Sequence, residues 1–365
     1  HEIRREYLEA GQSPQAERTI RVEKTEEMVE RMCQRYNVEK HPKAFFSPSA
    51  LNTYLDCRLR FYYRYVAGLK LPEEVTAEID SALFGTIFHR SAELVYTELT
   101  EHGKEIRKED LERLLKNEVK LQGYVDRAFK EEFFHVPEEE QPEYNGTQLI
   151  HARVIASYLR QLLRNDLNYA PFSMEGMEQE VKEVMEIDTP AGKLKIQIGG
   201  TMEQKVTETL EIDTPSGILP LNIGGTIDRM DSKGDTLRIV DYKTGGAPKT
   251  PENIAQLFTP AEGRPNYIFQ TFLYAAILCR KQSLKVAPSL LYIHRAASES
   301  YSPVIEMGAA RQPKQPVNNF SFYEDEFRER LQQLLEEIFS LHTPFDQTEQ
   351  TRQCEYCDFR RLCRR

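Results

Sequence analysis

Tryptophan is absent from this 365-residue chain, and cysteine is scarce at six. No stretch approaches the ~18–20 unbroken apolar residues that cross a bilayer. The start of the chain lacks the basic stretch followed by an apolar run that marks a secretory signal. Together these absences exclude a helical membrane protein and a disulfide-built secreted scaffold, and they point to the cytoplasm. Basic charge is also short: the net charge of −10 excludes a protein whose whole surface attracts nucleic acid. A local basic groove stays open, because a Debye length of roughly 8 Å hides distant acids from a phosphate. What is present is a globular composition, 40% hydrophobic with 18 Tyr and 18 Phe, enough for one large domain or two ordinary ones. The first residue is His rather than Met, which reads as a piece cut from a longer chain.

Residues 1–44 read as a charged leader or linker, with EEMVERMCQRY as its one amphipathic helix. Organised sequence begins at residue 45. Ser47-Pro48 supplies an N-cap and a proline at the first helical position, opening a single helix that Gly68 closes. A second helical pattern runs from about Ser81 to His102, and residues 104–170 form a helix-rich insertion. Around Met177 the period becomes alternating, as strands require. A tandem repeat follows, residues 177–201 and 202–226, with 16 of 25 positions identical. Each copy reads as strand, Thr-Pro-x-Gly turn, strand, so 177–226 is a duplicated β-hairpin, too few copies for a solenoid. The sheet continues to a turn at 232–235 and returns as TLRIVDYK. A helix over about 265–282, the strand SLLYIH and a long terminal helix complete a mixed α/β pattern.

The strand TLRIVDYK finishes oddly. Leu237, Ile239, Asp241 and Lys243 share one face, so two apolar positions are followed by an acid and an amine. Burying a charge costs several kcal/mol unless it is paired or metal-bound. Thirteen residues upstream, Asp228 ends the other arm of the hairpin, and pairing across 232–235 brings it beside Asp241. Adjacent carboxylates repel unless a cation lies between them, and hard oxygen ligands suit Mg²⁺ or Mn²⁺. Such an ion, with a lysine near the transition-state charge, suits phosphodiester hydrolysis. The plainer reading is a surface hairpin with an Asp241–Lys243 salt bridge. Gln270 and Tyr274, i,i+4 on an apolar helix, share a face that can reach the strand ends. His89 follows Gly85 by one helical turn.

GTIFHRSAELVY, GGTIDRMD, VDYKTG and FQTFLY, in that order, resemble the successive motifs of RecB-type nucleases of the PD-(D/E)XK superfamily. The resemblance spans about Ser47 to Arg365 and implies a restriction-endonuclease-like core, a central mixed sheet flanked by helices. It implies that His89, Asp228 and Asp241 bind the metal, with the Tyr242 carbonyl as a further ligand. It makes Lys243 the catalytic lysine, with Gln270 and Tyr274 shaping the site and touching nucleic acid. The proline usual before the first acid is missing here. Glu178, Glu203 and Asp228 recur at one 25-residue phase and compete for one role. Only Asp228 has a short turn linking it to Asp241, so Asp228 takes the role and Glu203 is a solvated strand residue. A strand glutamate often precedes the first acid in the family, and Glu178 or Glu180 fills that place.

Cys354, Cys357 and Cys363 lie within ten residues near the end of the chain, and Cys57 lies far upstream. Without a secretory context, metal binding is the better reading than disulfides, and four thiolates suit zinc or an iron–sulfur cluster. The resemblance favours a [4Fe–4S] staple joining the domain's ends through the tail 352–365, the pattern of AddB-like helicase–nuclease subunits. Arg58 replaces the proline common after the first cysteine. Arg58, Arg60, Arg64, Arg360 and Arg361 would then form a basic patch beside Tyr62, Tyr63 and Tyr65, suited to single-stranded DNA. The resemblance implies a Mg²⁺- or Mn²⁺-dependent deoxyribonuclease, an exonuclease on single strands or DNA ends in recombination repair. It also implies a helicase partner, either as a subunit or as a domain of the same chain. The rival is a catalytically silent DNA-binding or scaffolding module, which has no reason to keep Asp228, Asp241 and Lys243 together.

Overall fold

A computed structural model describes residues 19–37, 40–41, 43–70, 78–137, 139–188, 218–281, 283–298 and 301–365. In chain order, β1 (Arg21–Val22) and α1 (Glu26–Tyr36) precede α2 (Pro48–Asp56), α3 (Arg58–Phe61) and a π-helical turn at Tyr62–Val66. Next come α4 (Ser81–Leu99), β2 (Glu105–Ile106), α5 (Lys108–Leu115), α6 (Glu118–Phe129) and α7 (Gly146–Tyr169). Three long strands follow: β3 (Phe172–Asp188), β4 (Ile218–Lys233) and β5 (Thr236–Lys243). Then come α8 (Ala255–Phe258), α9 (Asn266–Cys279) and β6 (Lys285–Tyr292). The short strands β7 (Glu306–Met307) and β8 (Gln315–Pro316), α10 (Glu324–Phe339), β9 (Phe345–Asp346) and α11 (Arg360–Cys363) end the chain. No helix among the described residues is long and apolar enough to cross a membrane.

The central sheet has the order β2-β3-β4-β5-β6, antiparallel except for the parallel β5–β6 pair. It is a mixed sheet with helices on both faces. One core, with Leu237 and Ile239, is covered by α1, α2, α9 and α10. The other, with Val240 and Tyr242, is covered by α4 to α7. Enclosure on both sides explains why positions 237–242 of β5 are all buried. It also makes a carboxylate among them conspicuous.

Local sequence accounts for most element boundaries. The Ser47 side chain accepts from Ala50 N and Pro48 opens α2. Asn145 and Gln148 form a reciprocal capping box at the start of α7. Strand structure begins at Phe172, five residues earlier than the change of period near Met177. The single helix expected from Ser47 to Gly68 is instead broken at Cys57, whose extended backbone (φ −163°, ψ 111°) ends α2 and caps α3. Its sulfur accepts from Arg60 N at 3.4 Å, a local bond that competes with continued helix.

Part of the stretch read as a leader belongs to the fold. β1 pairs with β9, and α1 buries Met28, Val29, Met32, Cys33 and Tyr36 in the first core. Lys24 Nζ donates to the Glu337 and Ile338 carbonyls, both at 2.8 Å, closing the C-terminus of α10. The duplicated hairpin is seen only from outside. β3 lies in the first copy and its upstream flank, β4 in the second copy and beyond, and they pair out to Asp188↔Ile218. Residues 189–217, with both expected Thr-Pro-x-Gly turns and Glu203, lie outside the described residues. So does the side chain of Glu180.

Candidate metal centre

Sheet register assembles the site. Arg229 pairs with Val240 across the β4–β5 hairpin, and continuing that register by one residue sets Asp228 opposite Asp241. On the other side, Met177↔Arg229 and Gln179↔Ile227 bracket Glu178 opposite Asp228. Three carboxylates therefore form a row across β3, β4 and β5, on side chains directly opposite one another. Glu178 holds φ at +47°, a left-handed conformation that non-glycine residues rarely adopt. Such strain is tolerated where the surrounding structure over-determines it, here by pairing on both flanks.

α4 brings the fourth group. His89 Nδ1 lies 3.4 Å from Asp228 Oδ1 and 3.7 Å from Glu178 Oε1. Ligand atoms of His89, Glu178 and Asp228 all lie within 4.8 Å of one another, a convergence of one imidazole and two carboxylates. Glu178, one of the two glutamates suggested for the place before the first acid, thus stands beside Asp228. Asp241 stands at the edge of this trio. Its Oδ1 accepts from Gln270 Nε2 at 2.9 Å, and its Oδ2 pairs with Lys243 Nζ at 2.7 Å. Apart from this ion pair the buried Oδ2 has no hydrogen-bond partner, so it keeps an unused lone pair.

The environment drives the two aspartates apart. Burial raises Asp241 to about 6, helped by the charge of Asp228 and opposed by Lys243. Burial works against Asp228 too, but His89, Lys243 and the Tyr242 amide, which donates to Oδ2 at 2.6 Å, hold it below the usual range. Burial opposes the charge on His89, yet Asp228 and Glu178 push the imidazole up to about 10. Lys243 is likewise raised: burial disfavours its charge, and Asp241 and Asp228 outweigh it. The shifts of His89, Lys243 and Asp228 show that the carboxylates favour positive charge beside them.

Gln270 and Tyr274 come from one face of α9, as expected, with Gln270 reaching Asp241 directly. Tyr274 is buried, and its ionisation is suppressed by burial and then by Asp241 and Asp228. Its hydroxyl passes so close to Gly225 that an added Cβ would lie 2.6 Å away. The glycine before Thr226 is therefore a space requirement of the tyrosine. Tyr242 donates its amide to Asp228 and turns its ring toward Phe88 and His89. A groove of 820 Å³ opens over the centre, lined by Gly85, His89, Arg90, Glu178, Lys243, the loop 244–246 and Tyr267.

A divalent ion fits these residues. The donor set is hard, two clustered carboxylates and one imidazole, with a spare oxygen on Asp241. The sequence signal for Glu178 was its repeat phase, shared with Asp228. Nothing in the sequence announced Tyr267, whose ring centroid lies 4.6 Å from Lys243 Nζ.

The cysteines gather at the other end of the chain's path. Cys57 sits at the α2–α3 break, Cys354 closes a helical turn and Cys363 ends α11. Burial raises the Cys57 and Cys363 thiols, and the other thiols add to this: Cys357 bears on Cys57, and all three bear on Cys363. Among the described residues, the one group of three ligand atoms within 4.8 Å is the carboxylate–imidazole trio. Of the five arginines expected to face DNA, Arg58 is held by Glu337 at 2.9 Å and Asp346 at 3.3 Å, so its charge is already matched. Arg60 lies 3.8 Å from Asp358, and Arg360 donates to the Glu355 carbonyl. Arg64 and Arg361 are exposed.

A family model described as the PD-(D/E)XK nuclease superfamily matches residues 45–364. No curated protein matches the chain.

Proposed function

The chain belongs to the PD-(D/E)XK nuclease superfamily, and from that premise we propose that it is a Mg²⁺- or Mn²⁺-dependent nuclease that hydrolyses DNA phosphodiesters, acting as an exonuclease on single strands or ends. The observation that carries this reading is the row Glu178–Asp228–Asp241 with Lys243 paired to its last member. His89, Glu178 and Asp228 would hold the ion, with Asp241 completing its shell. When bound, the ion neutralises phosphate charge and lowers the pKa of a coordinated water. Lys243 stabilises the charge that develops on the scissile phosphate, and Asp241 fixes that ammonium. Gln270 fixes Asp241 in turn, and the buried Tyr274 seals the floor of the site behind it.

The wider setting of this reading is recombination repair beside a helicase, in the cytoplasm, where cysteines without disulfides are at home. The four cysteines are assigned to a [4Fe–4S] centre, a reading supported by their sequence spacing and by the mutual influence of their thiols in the fold.

Asp241→Ala tests the site. Metal-dependent cleavage of labelled single strands should fall on the order of 10³-fold, with folding retained. Cleavage within a few fold of the parent would overturn the assignment. Anaerobically purified protein should be brown, with absorption at about 400 nm that Cys357→Ser removes. Colourless protein with bound zinc would refute the cluster.

A further inference from the structure

We propose that Tyr267 is a stacking platform for one nucleobase beside the scissile phosphate, so that the groove accepts unpaired nucleotides. The proposal rests on the nuclease reading above. Tyr267 lies in the first turn of α9, three residues before Gln270, so the helix that steadies Asp241 also presents this ring. Most of α9 is buried, yet Tyr267 is 36% exposed and lines the same groove as His89, Glu178 and Lys243. Phe322 and Tyr356 are more exposed still, at 83% and 90%, but neither lines that groove.

The loop opposite keeps the ring uncovered. Gly246 has φ +82°, and a Cβ there would come within 3.4 Å of Tyr267 Cε2 and 3.7 Å of Tyr292 Cε1. A side chain at 246 would therefore lie in contact with the ring and cover part of it, whereas glycine leaves it open, and a Cβ at Gly245 would meet nothing within 4 Å. Lys243 Nζ, 4.6 Å from the ring centroid, sets an ammonium beside an aromatic face. A cation for phosphate next to a flat apolar surface is the pairing a nucleotide offers in reverse. Bases inside a duplex are already stacked and paired, so a base must be splayed out to reach Tyr267. The hydroxyl is not required, and a phenyl ring serves as well.

The test compares oligothymidylate with a strand of the same length made of abasic tetrahydrofuran residues, in wild type, Tyr267→Leu and Tyr267→Phe. Affinity is read by anisotropy in Ca²⁺, and cleavage is read in Mn²⁺. Stacking predicts that Tyr267→Leu weakens oligothymidylate binding about tenfold or more, that Tyr267→Phe restores it, and that all three proteins converge on the abasic strand. Equal losses on both strands would mean that the ring acts only by holding Lys243, and would overturn the proposal. Unchanged oligothymidylate binding in Tyr267→Leu would overturn it as well. Binding is read without cleavage, so an inactive wild type would defeat the nuclease reading while the affinities still decide whether the ring stacks.

Discussion

Asp228 and Arg229 are neighbours in β4, and they serve two charge clusters of opposite character. Arg229 is fully buried and closed in: Asp166 grips it from α7 through two bonds at 2.5 and 2.9 Å, and Asp231 accepts from its Nε at 2.9 Å. Tyr242 receives a bond from it at 3.2 Å, Tyr96 donates to Asp166, and Arg238 holds Asp231 through two bonds. Every charge there has a partner of matching geometry. Asp228 faces a cluster in which imidazole and carboxylates crowd without full satisfaction and the groups shift one another strongly. Satisfied buried charge marks a structural joint, whereas unsatisfied convergent charge marks a place kept for something that arrives later.

Breaking the closed cluster should have the largest effect on folding. Arg229→Met leaves Asp166 buried without its main cation and Asp231 with Arg238 alone, and urea denaturation should show a loss of about 3–5 kcal/mol. The same protein, below its unfolding transition, should still cleave DNA. The open cluster should respond in the opposite sense. Asp241 titrates at about 6 in the folded chain against roughly 3.9 when unfolded, so the folded state binds more protons between those values. Stability from this group therefore falls as pH rises from 4 to 6. Asp241→Asn should gain on metal-free wild type by on the order of 2 kcal/mol between pH 4 and pH 7. A stability difference that does not change with pH would show that Asp241 is as well satisfied as Asp166. The smallest effect tests the membership of Glu178. Glu178→Gln should raise the Mn²⁺ concentration for half-maximal cleavage about tenfold, with little change in stability.

The sequence exposed the half of this contrast that depends on short range. Period-two alternation and a tight turn fix which residues of β4 and β5 face each other, so Asp228 beside Asp241 was legible, as were Lys243 and Gln270. Glu178 needed the pairing of strands fifty residues apart and a left-handed φ, which no local pattern encodes. The break at Cys57 was hidden because apolar residues continue on both sides of it without a glycine or proline to mark a stop. Arg58 looked free because Glu337 and Asp346, its partners, are almost three hundred residues away. α1 looked like a leader because its charged face outweighs the narrow apolar stripe that reaches the core.

The repeat has a consequence for inheritance. Asp188 pairs with Ile218, and Thr189-Pro190-Ala191 from one copy followed by Gly217 from the other would close that pair as a four-residue loop. Losing residues 192–216, one repeat length, would thus leave the Asp188–Ile218 pair and the place of Glu178 opposite Asp228 unchanged. Gain or loss of a whole copy is a length change that the chemistry would not notice, so descendants of this gene can vary in chain length between β3 and β4 while their active centre is kept.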